Sequence, residues 1–198
     1  MEQEFKWSTP DIGAFMDILA AYHMPEKPGT TCMDARYYDT ADGMVKQMHG
    51  GLRLRTEGTQ SVCCLKLAAS SAFGGALKAR EEFECEAPDI ESGLHLLPQQ
   101  TKAPADVCRA LLDAGLIELG RTSFTRYAVL LTEDGCTAEL SFDHGELFRD
   151  GRRAPISEIE LEFKSGSVQA FEALGSRLQQ NFHLTPEPLS KLVRLMQL

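Results

Sequence analysis

The segment "SEIELEF" carries Glu158, Glu160 and Glu162 at every second position, with Ile159, Leu161 and Phe163 between them. A period of two is the period of a β-strand, whose side chains alternate between faces; a helix would scatter the same residues around its axis. The segment therefore presents three carboxylates on one face and three apolar groups on the other. Neighbours on one face lie roughly 6.6 Å apart, and like charges so placed repel. A fold that uses this strand must supply cations to the acidic face or leave it in water, and must cover the apolar face.

The same alternation recurs along the chain. "EQEFK" puts Glu2, Glu4 and Lys6 on one face. "LRLR" sets Arg53 and Arg55 opposite Leu52 and Leu54, and "CLKL" sets Lys66 opposite Leu65 and Leu67. Arg80, Glu82 and Glu84 share a face, as do Glu139, Ser141 and Asp143. For one strand the plain reading is a solvated face over a core. The set argues otherwise. Two strands carry like carboxylates with no lysine between them, while others gather cations, including Arg126 in "FTRY". A hard divalent ion, Mg2+ or Mn2+, removes the repulsion among carboxylates. Guanidinium forks match phosphate oxygens. Metal plus polyanion is the equipment of phosphoryl transfer.

Amphipathic segments are available to cover the apolar faces. "STPDIGAFMDILAAYH" has a cap, an early proline and Ile12, Phe15, Met16 and Leu19 at helical spacing. "PADVCRALLDAGL", "SVQAFEALGSRLQQNF" and "LSKLVRLMQL" read as further helices. Residues 88–104 read as a polar connection with a short helical piece at most. The remaining strands form antiparallel hairpins. The expected fold is α+β: an antiparallel eight-stranded closed β-barrel, charged face inward, with helices packed outside. No linker divides the 198 residues, so a single domain over 1–198 is expected.

A formal net charge of -9 argues against nucleic-acid or anionic-membrane partners, whose binding needs a basic surface. It leaves room for a basic cleft. No apolar run is long enough to span a bilayer, and the acidic start is unlike a secretion leader, so a cytoplasmic location is expected. The six cysteines form no CxxC pair and read as reduced, mostly packed thiols. The five histidines have no ligand spacing and read as surface or packing residues. Trp7 lies off the Glu2, Glu4, Lys6 face and reads as core. Arg194, one turn after Lys191, is placed to join the site, but a surface role is the expected one.

At this point the residues resemble a known family. "EQEFK" is similar to the ExExK signature of the CYTH domain, the triphosphate tunnel metalloenzymes. "YYDTADGMVKQMHGGLRLRTEG" resembles its tyrosine-acid-threonine turn and RxR strand. "CLKL", "AREEFE", "FTRY", "AELSFDHGEL", "SEIELEFKSG" and "PLSKLVRL" resemble its later motifs, in family order. The resemblance implies a triphosphate tunnel and divalent-metal-dependent hydrolysis. Glu2, Glu4, Glu160 and Glu162 would hold Mg2+ or Mn2+. Lys6, Arg53, Arg55, Lys66, Arg80, Arg126 and Lys191 would bind phosphates. Glu4, Lys66, Arg126 and Glu160 form the expected catalytic set. Glu82, Glu139, Asp143 and Glu158 would be supporting acids, and Tyr38 would match a family tyrosine. Where some members carry a lysine two positions before the "FTRY"-type arginine, this chain has Phe124; where some carry a second base after the ExExK lysine, it has Ser8.

The implied reaction is hydrolysis of tripolyphosphate to pyrophosphate and phosphate, by a monomer or homodimer acting on a small-molecule triphosphate. Two alternatives stand beside it. One is a nucleoside or thiamine triphosphatase or class IV-type adenylyl cyclase, which needs a base-recognition pocket. The other is a non-catalytic polyphosphate-binding module. Acidic pairs at both ends of the chain favour metal chemistry, because carboxylates repel an anion unless a metal lies between.

Overall fold

The structure is a computed structural model describing residues 2–25, 27–68 and 77–198, with backbone alone for residue 2 and residues 77–80. In chain order the elements are β1 (Glu2–Ser8), α1 (Gly13–Ala21), β2 (Gly29–Asp39), α2 (Met44–Gln47), β3 (Gly51–Glu57), β4 (Gln60–Ala68) and β5 (Leu77–Glu86). Then come α3 (Ile90–Gln100), α4 (Ala105–Ala114), β6 (Ile117–Glu133), β7 (Cys136–Arg149) and β8 (Arg152–Gly166). The chain finishes with α5 (Val168–Asn181), β9 (Thr185–Pro186) and α6 (Lys191–Leu195).

One antiparallel sheet runs β5-β4-β3-β2-β6-β7-β8-β1-β9. β1 pairs with β8 through Glu4↔Glu162 to Ser8↔Glu158, and a second time with β5 through Glu2↔Arg80 to Phe5↔Leu77. Among the described residues the expected count of eight strands is corrected to nine. The extra strand is the two-residue β9, which takes the free edge of β1 at Trp7 and Ser8.

The apolar faces lie under helices. Phe5 and Trp7 of β1 join Leu140, Phe142, Ile159 and Leu161 against Phe15 and Leu19 of α1 and Phe171, Leu174 and Leu178 of α5. Fully burying each such side chain contributes roughly 1.5–3 kcal/mol, so this face dictates which way the alternation points. Trp7 is wholly buried, and its indole N–H donates to Gln179 Oε1 at 3.0 Å. Leu52, Cys63, Leu65 and Cys85 pack under α3 and α4. Five cysteines are buried and Cys32 is exposed.

The 88–104 segment was expected as a connection, yet residues 90–100 form the 11-residue α3. Asp89 caps it by accepting the Ser92 N–H at 2.7 Å, and Ile90, Leu94 and Leu97 recur on its buried side. Gly93 and Pro98 disguised it. Gly93 leaves room for Cys63, and Pro98 falls in the last turn. The "YDT" turn is structural. Buried Asp39 accepts the N–H groups of Thr40 and Val45 at 2.8 Å and of Lys46 at 3.1 Å, holding α2.

Phe124 of β6 stands opposite Gly145 of β7. A Cβ on Gly145 would overlap the Ser123 carbonyl and the Phe124 Cα, both backbone. Gly145→Ala is expected to cost about 1–3 kcal/mol through forced strand displacement. The urea midpoint measures it; a midpoint equal to the parent's would show that β6 yields freely.

Candidate active site

Strand register turns the alternating charges into rows. Glu139 on β7, Glu162 on β8 and Glu4 on β1 are cross-strand neighbours. The next row holds Ser141, Glu160 and Lys6, and the third holds Arg126, Asp143, Glu158 and Ser8. On β2 to β5, Tyr37, Arg53, Cys64 and Glu84 form one row, and Gly51, Lys66 and Glu82 another. Both walls line one cavity of about 1120 Å³. Glu4, Lys6, Glu139, Glu160 and Glu162 stand on the first, Arg53, Arg55, Lys66, Glu82 and Glu84 on the second, with Arg126 and Lys191 also in the lining.

Behind the cavity surface, Asp143 and Glu158 are completely buried, where an unpaired carboxylate is strongly unfavourable. Both are matched. Arg126 donates Nε and Nη2 to the two Asp143 oxygens at 2.7 Å, and Nη2 also to Glu160 Oε2 at 2.5 Å. Lys191 donates to Asp143 Oδ2 at 2.7 Å and Glu160 Oε1 at 2.9 Å, and pairs with Glu158. Arg194 donates to Glu158 Oε2 at 2.6 Å. The Phe124 ring lies 4.9 Å from Lys191 Nζ and 5.9 Å from Arg126 Cζ, so its π-face meets both cations.

Burial alone would lower the Lys191 pKa, yet Asp143, Glu158 and Glu160 hold it well above the usual lysine value. Burial pushes the Glu160 carboxyl up, and Lys191, Arg126 and Lys6 overcome this and hold it well below the usual range. Glu158 stays raised, because its burial outweighs Lys191, Lys6 and Arg194. Lys6, 2% exposed, donates Nζ to the Leu189 carbonyl at 2.5 Å, so β1 and the segment before α6 are tied through the site.

On the opposite wall, Lys66 lies 3.0 Å from Glu82. Arg53 reaches Glu82 at 3.6 Å and Glu84 at 3.7 Å, and Arg55 reaches Glu84 at 3.4 Å and also pairs with Glu57. Cys64 donates its S–H to Glu82 Oε1 at 3.0 Å. Burial pushes that thiol well above its ordinary pKa, so it remains a donor. These acids aim a cluster of cations into the cavity.

Among the described residues, two groups bring one donor atom from each member within 4.8 Å of one another: Asp143, Glu158 and Glu160, and Cys64, Glu82 and Glu84. Lys191 already serves all three carboxylates of the first. Three cations crowd the second, and its thiol is soft. The row Glu4–Glu162–Glu139, with Glu160 one row deeper, offers only carboxylate oxygens, the donor chemistry of a hard divalent ion. By donor type this row suits a hard divalent ion, although Lys164 already pairs with two of its members.

Of the expected metal set, Glu4, Glu160 and Glu162 line the cavity together, with Glu160 also bound by Arg126 and Lys191. Glu2 stands opposite Arg80 in register, and the side chains of both lie outside the described residues. Tyr38 lines the cavity; burial and then Glu118 push its hydroxyl pKa up, so it stays protonated at neutral pH. Arg194 is corrected from a surface residue to a partner of Glu158, because α6 turns Lys191 and Arg194 to the same side at helical spacing. Lys164 went unnoticed although it continues the period of Glu158, Glu160 and Glu162. It lies 2.8 Å from Glu162 and 3.9 Å from Glu139.

The family model described as the CYTH domain matches residues 2–196. The chain belongs to the CYTH domain family. This CYTH chain is 30% identical over 138 residues to an inorganic triphosphatase of Haemophilus influenzae, a match taking in 67% of this chain and 36% of the relative. The chain thus spans little more than a third of that relative's length. A Hippeastrum adenylyl cyclase candidate with a dominant triphosphatase activity superposes with a TM-score of 0.66 at 19% identity, over 100% of this chain and 96% of the other. A Bacillus halodurans adenylate cyclase candidate superposes with a TM-score of 0.60 at 20% identity, over 94% and 92%. These two share the fold of this CYTH domain. Among the described residues, no helix is long and apolar enough to cross a membrane.

Proposed function

We propose that this CYTH domain hydrolyses inorganic triphosphate to pyrophosphate and phosphate, with Mg2+ or Mn2+ on Glu4, Glu160 and Glu162 and with Glu2 as a further candidate ligand. The observation that carries the reading is the opposition of a carboxylate row and a guanidinium–ammonium wall across one cavity. A cavity of cations alone would bind an anion; carboxylates beside them make sense when a metal joins the two. The similarity to an inorganic triphosphatase supports the choice of substrate. The second pairing of β1, with β5, supports a closed tunnel around the cavity.

Arg53, Arg55 and Lys66, preset by Glu82 and Glu84, grip the phosphate chain. Arg126, fixed by Asp143, stabilises negative charge on the departing pyrophosphate as the anhydride P–O bond breaks. A carboxylate of the row orients the attacking water. The bound divalent ion supplies charge neutralisation at the phosphate oxygens. The cavity also holds apolar lining at Met33, Leu119, Leu192 and Met196, which favours an organic triphosphate as a second reading.

Phosphate release from tripolyphosphate, ATP, thiamine triphosphate and long-chain polyphosphate separates the readings. Turnover is expected to be greatest with tripolyphosphate, to need Mg2+ or Mn2+, and to be lost in Glu4→Gln. Cyclic AMP from ATP at a comparable rate would overturn the first reading for the second. Metal-independent turnover, or a Glu4→Gln variant equal to the parent, would remove the metal assignment.

A further inference from the structure

The alternation of β8 does not end with its glutamates. Lys164 follows Glu162 by two positions and lines the same cavity. Its ammonium is 2.8 Å from Glu162 Oε1 and 3.9 Å from Glu139 Oε1, two of the three carboxylates in the row Glu4–Glu162–Glu139. The contrast with Lys191 is informative. Lys191 has a side chain 9% exposed and ion pairs to three carboxylates, so it is locked in place. The Lys164 side chain is 36% exposed. A long flexible stem with an accessible head can withdraw into water at little cost.

We propose that Lys164 is a tethered counter-cation of the Glu4–Glu162–Glu139 row, pairing with Glu162 and Glu139 until a divalent ion on Glu4 and Glu162 displaces it. The inference rests on the metal reading above. Carboxylates facing one another across β7, β8 and β1 repel, and an ammonium among them relieves that repulsion without closing the site. A divalent ion brings twice the charge and direct coordination, so it wins the exchange. A monovalent ion brings no more charge than the lysine and must compete with a group held nearby by the chain, at high effective concentration. Lys164 therefore sets a threshold for divalent occupancy and guards the row against monovalent salt.

Binding of Mn2+ alone, with no phosphate present, tests this by electron paramagnetic resonance of the free ion. The comparison takes the parent, Lys164→Gln, Lys164→Arg and Lys46→Gln, the last removing the same charge from a cavity-lining α2 position off the row. Lys164→Gln is expected to bind Mn2+ roughly two- to fivefold tighter, the scale of a partly exposed ion pair, and to lose more affinity than the parent when KCl is added. Lys164→Arg, which keeps the charge, and Lys46→Gln are expected to show no such tightening. If the parent binds Mn2+ and Lys164→Gln binds it equally or more weakly, the counter-cation role is overturned while the metal site stands. Tightening in Lys46→Gln equal to that in Lys164→Gln would also overturn it, as a general charge effect. If the parent binds no Mn2+, or Glu4→Gln binds it like the parent, the metal row falls and the inference falls with it.

Discussion

Lys191→Met is expected to lower the unfolding free energy by about 3–5 kcal/mol at neutral pH, and by less in mild acid. Methionine fills much of the same volume, so the loss is electrostatic. Asp143 and Glu158 are completely buried and the Glu160 side chain is 13% exposed; all three lose the ammonium they share. The pH dependence has a definite sign. In the parent the Glu160 carboxyl is depressed, so its contribution is complete above the ordinary carboxylate pKa and disappears only as pH falls through its lower folded value. The Lys191 pKa is raised, so its contribution is complete below the ordinary lysine value and is lost only as pH rises through the higher folded value. The parent keeps both between about pH 5 and pH 10. In the variant, Glu158 and Glu160 lose the ammonium that lowers their carboxyl values, so proton uptake stabilises the folded state as pH falls. The gap between variant and parent must narrow on acidification. Urea midpoints at pH 7.5 and 5.5 measure it, and an equal gap at both would show that these carboxylates do not depend on Lys191.

Arg126→Lys is expected to reduce kcat/KM for triphosphate by about 10²-fold or more, the usual cost of misplacing one charge-stabilising donor. The charge is retained, so the melting temperature moves far less than in Lys191→Met. What disappears is the planar fork that spans both Asp143 oxygens and Glu160. If that fork stabilises charge developing on the leaving pyrophosphate, the fall lies mainly in kcat. A rise in KM with kcat intact would reduce Arg126 to a substrate anchor.

The period-two pattern made the strands and their two faces legible, because burial of Phe5, Trp7, Leu140 and Ile159 obeys the same alternation that exposes the charges to the cavity. Register was not legible. Whether Glu162 meets Glu4 or Lys6 depends on turn geometry and on irregularities at Tyr37/Tyr38 and Thr137/Ala138, and a slip in pairing rearranges every row. Sequence therefore listed the charged residues without saying that Glu139, Glu162 and Glu4 form one row while Asp143 and Glu158 lie beneath another. The spacing of Arg194 one turn after Lys191 was legible, but its pairing with buried Glu158 was not, because the docking of the five-residue α6 is set by the tertiary fold. Lys164 did carry a signal, the continued alternation of β8 past its three glutamates.

β1 has consequences for how this molecule folds. Its partners β5, β8 and β9 all come far later in the chain, and Lys6 is tied to Leu189 across a separation of 183 residues. Contacts so distant in sequence form slowly, since a long loop must close before any of them is gained. The central hairpins can pair early through local turns, placing Arg53, Arg55 and Lys66 together. β1 can reach β5 earlier, but Glu4 and Lys6 meet Glu162 and Glu160 only after β8 has been synthesised, and Lys191 joins later still. A chain that has completed β5 but not β7 and β8 therefore holds Arg53, Arg55 and Lys66 with Glu82 and Glu84 beside them, and Glu139, Glu160 and Glu162 still to come.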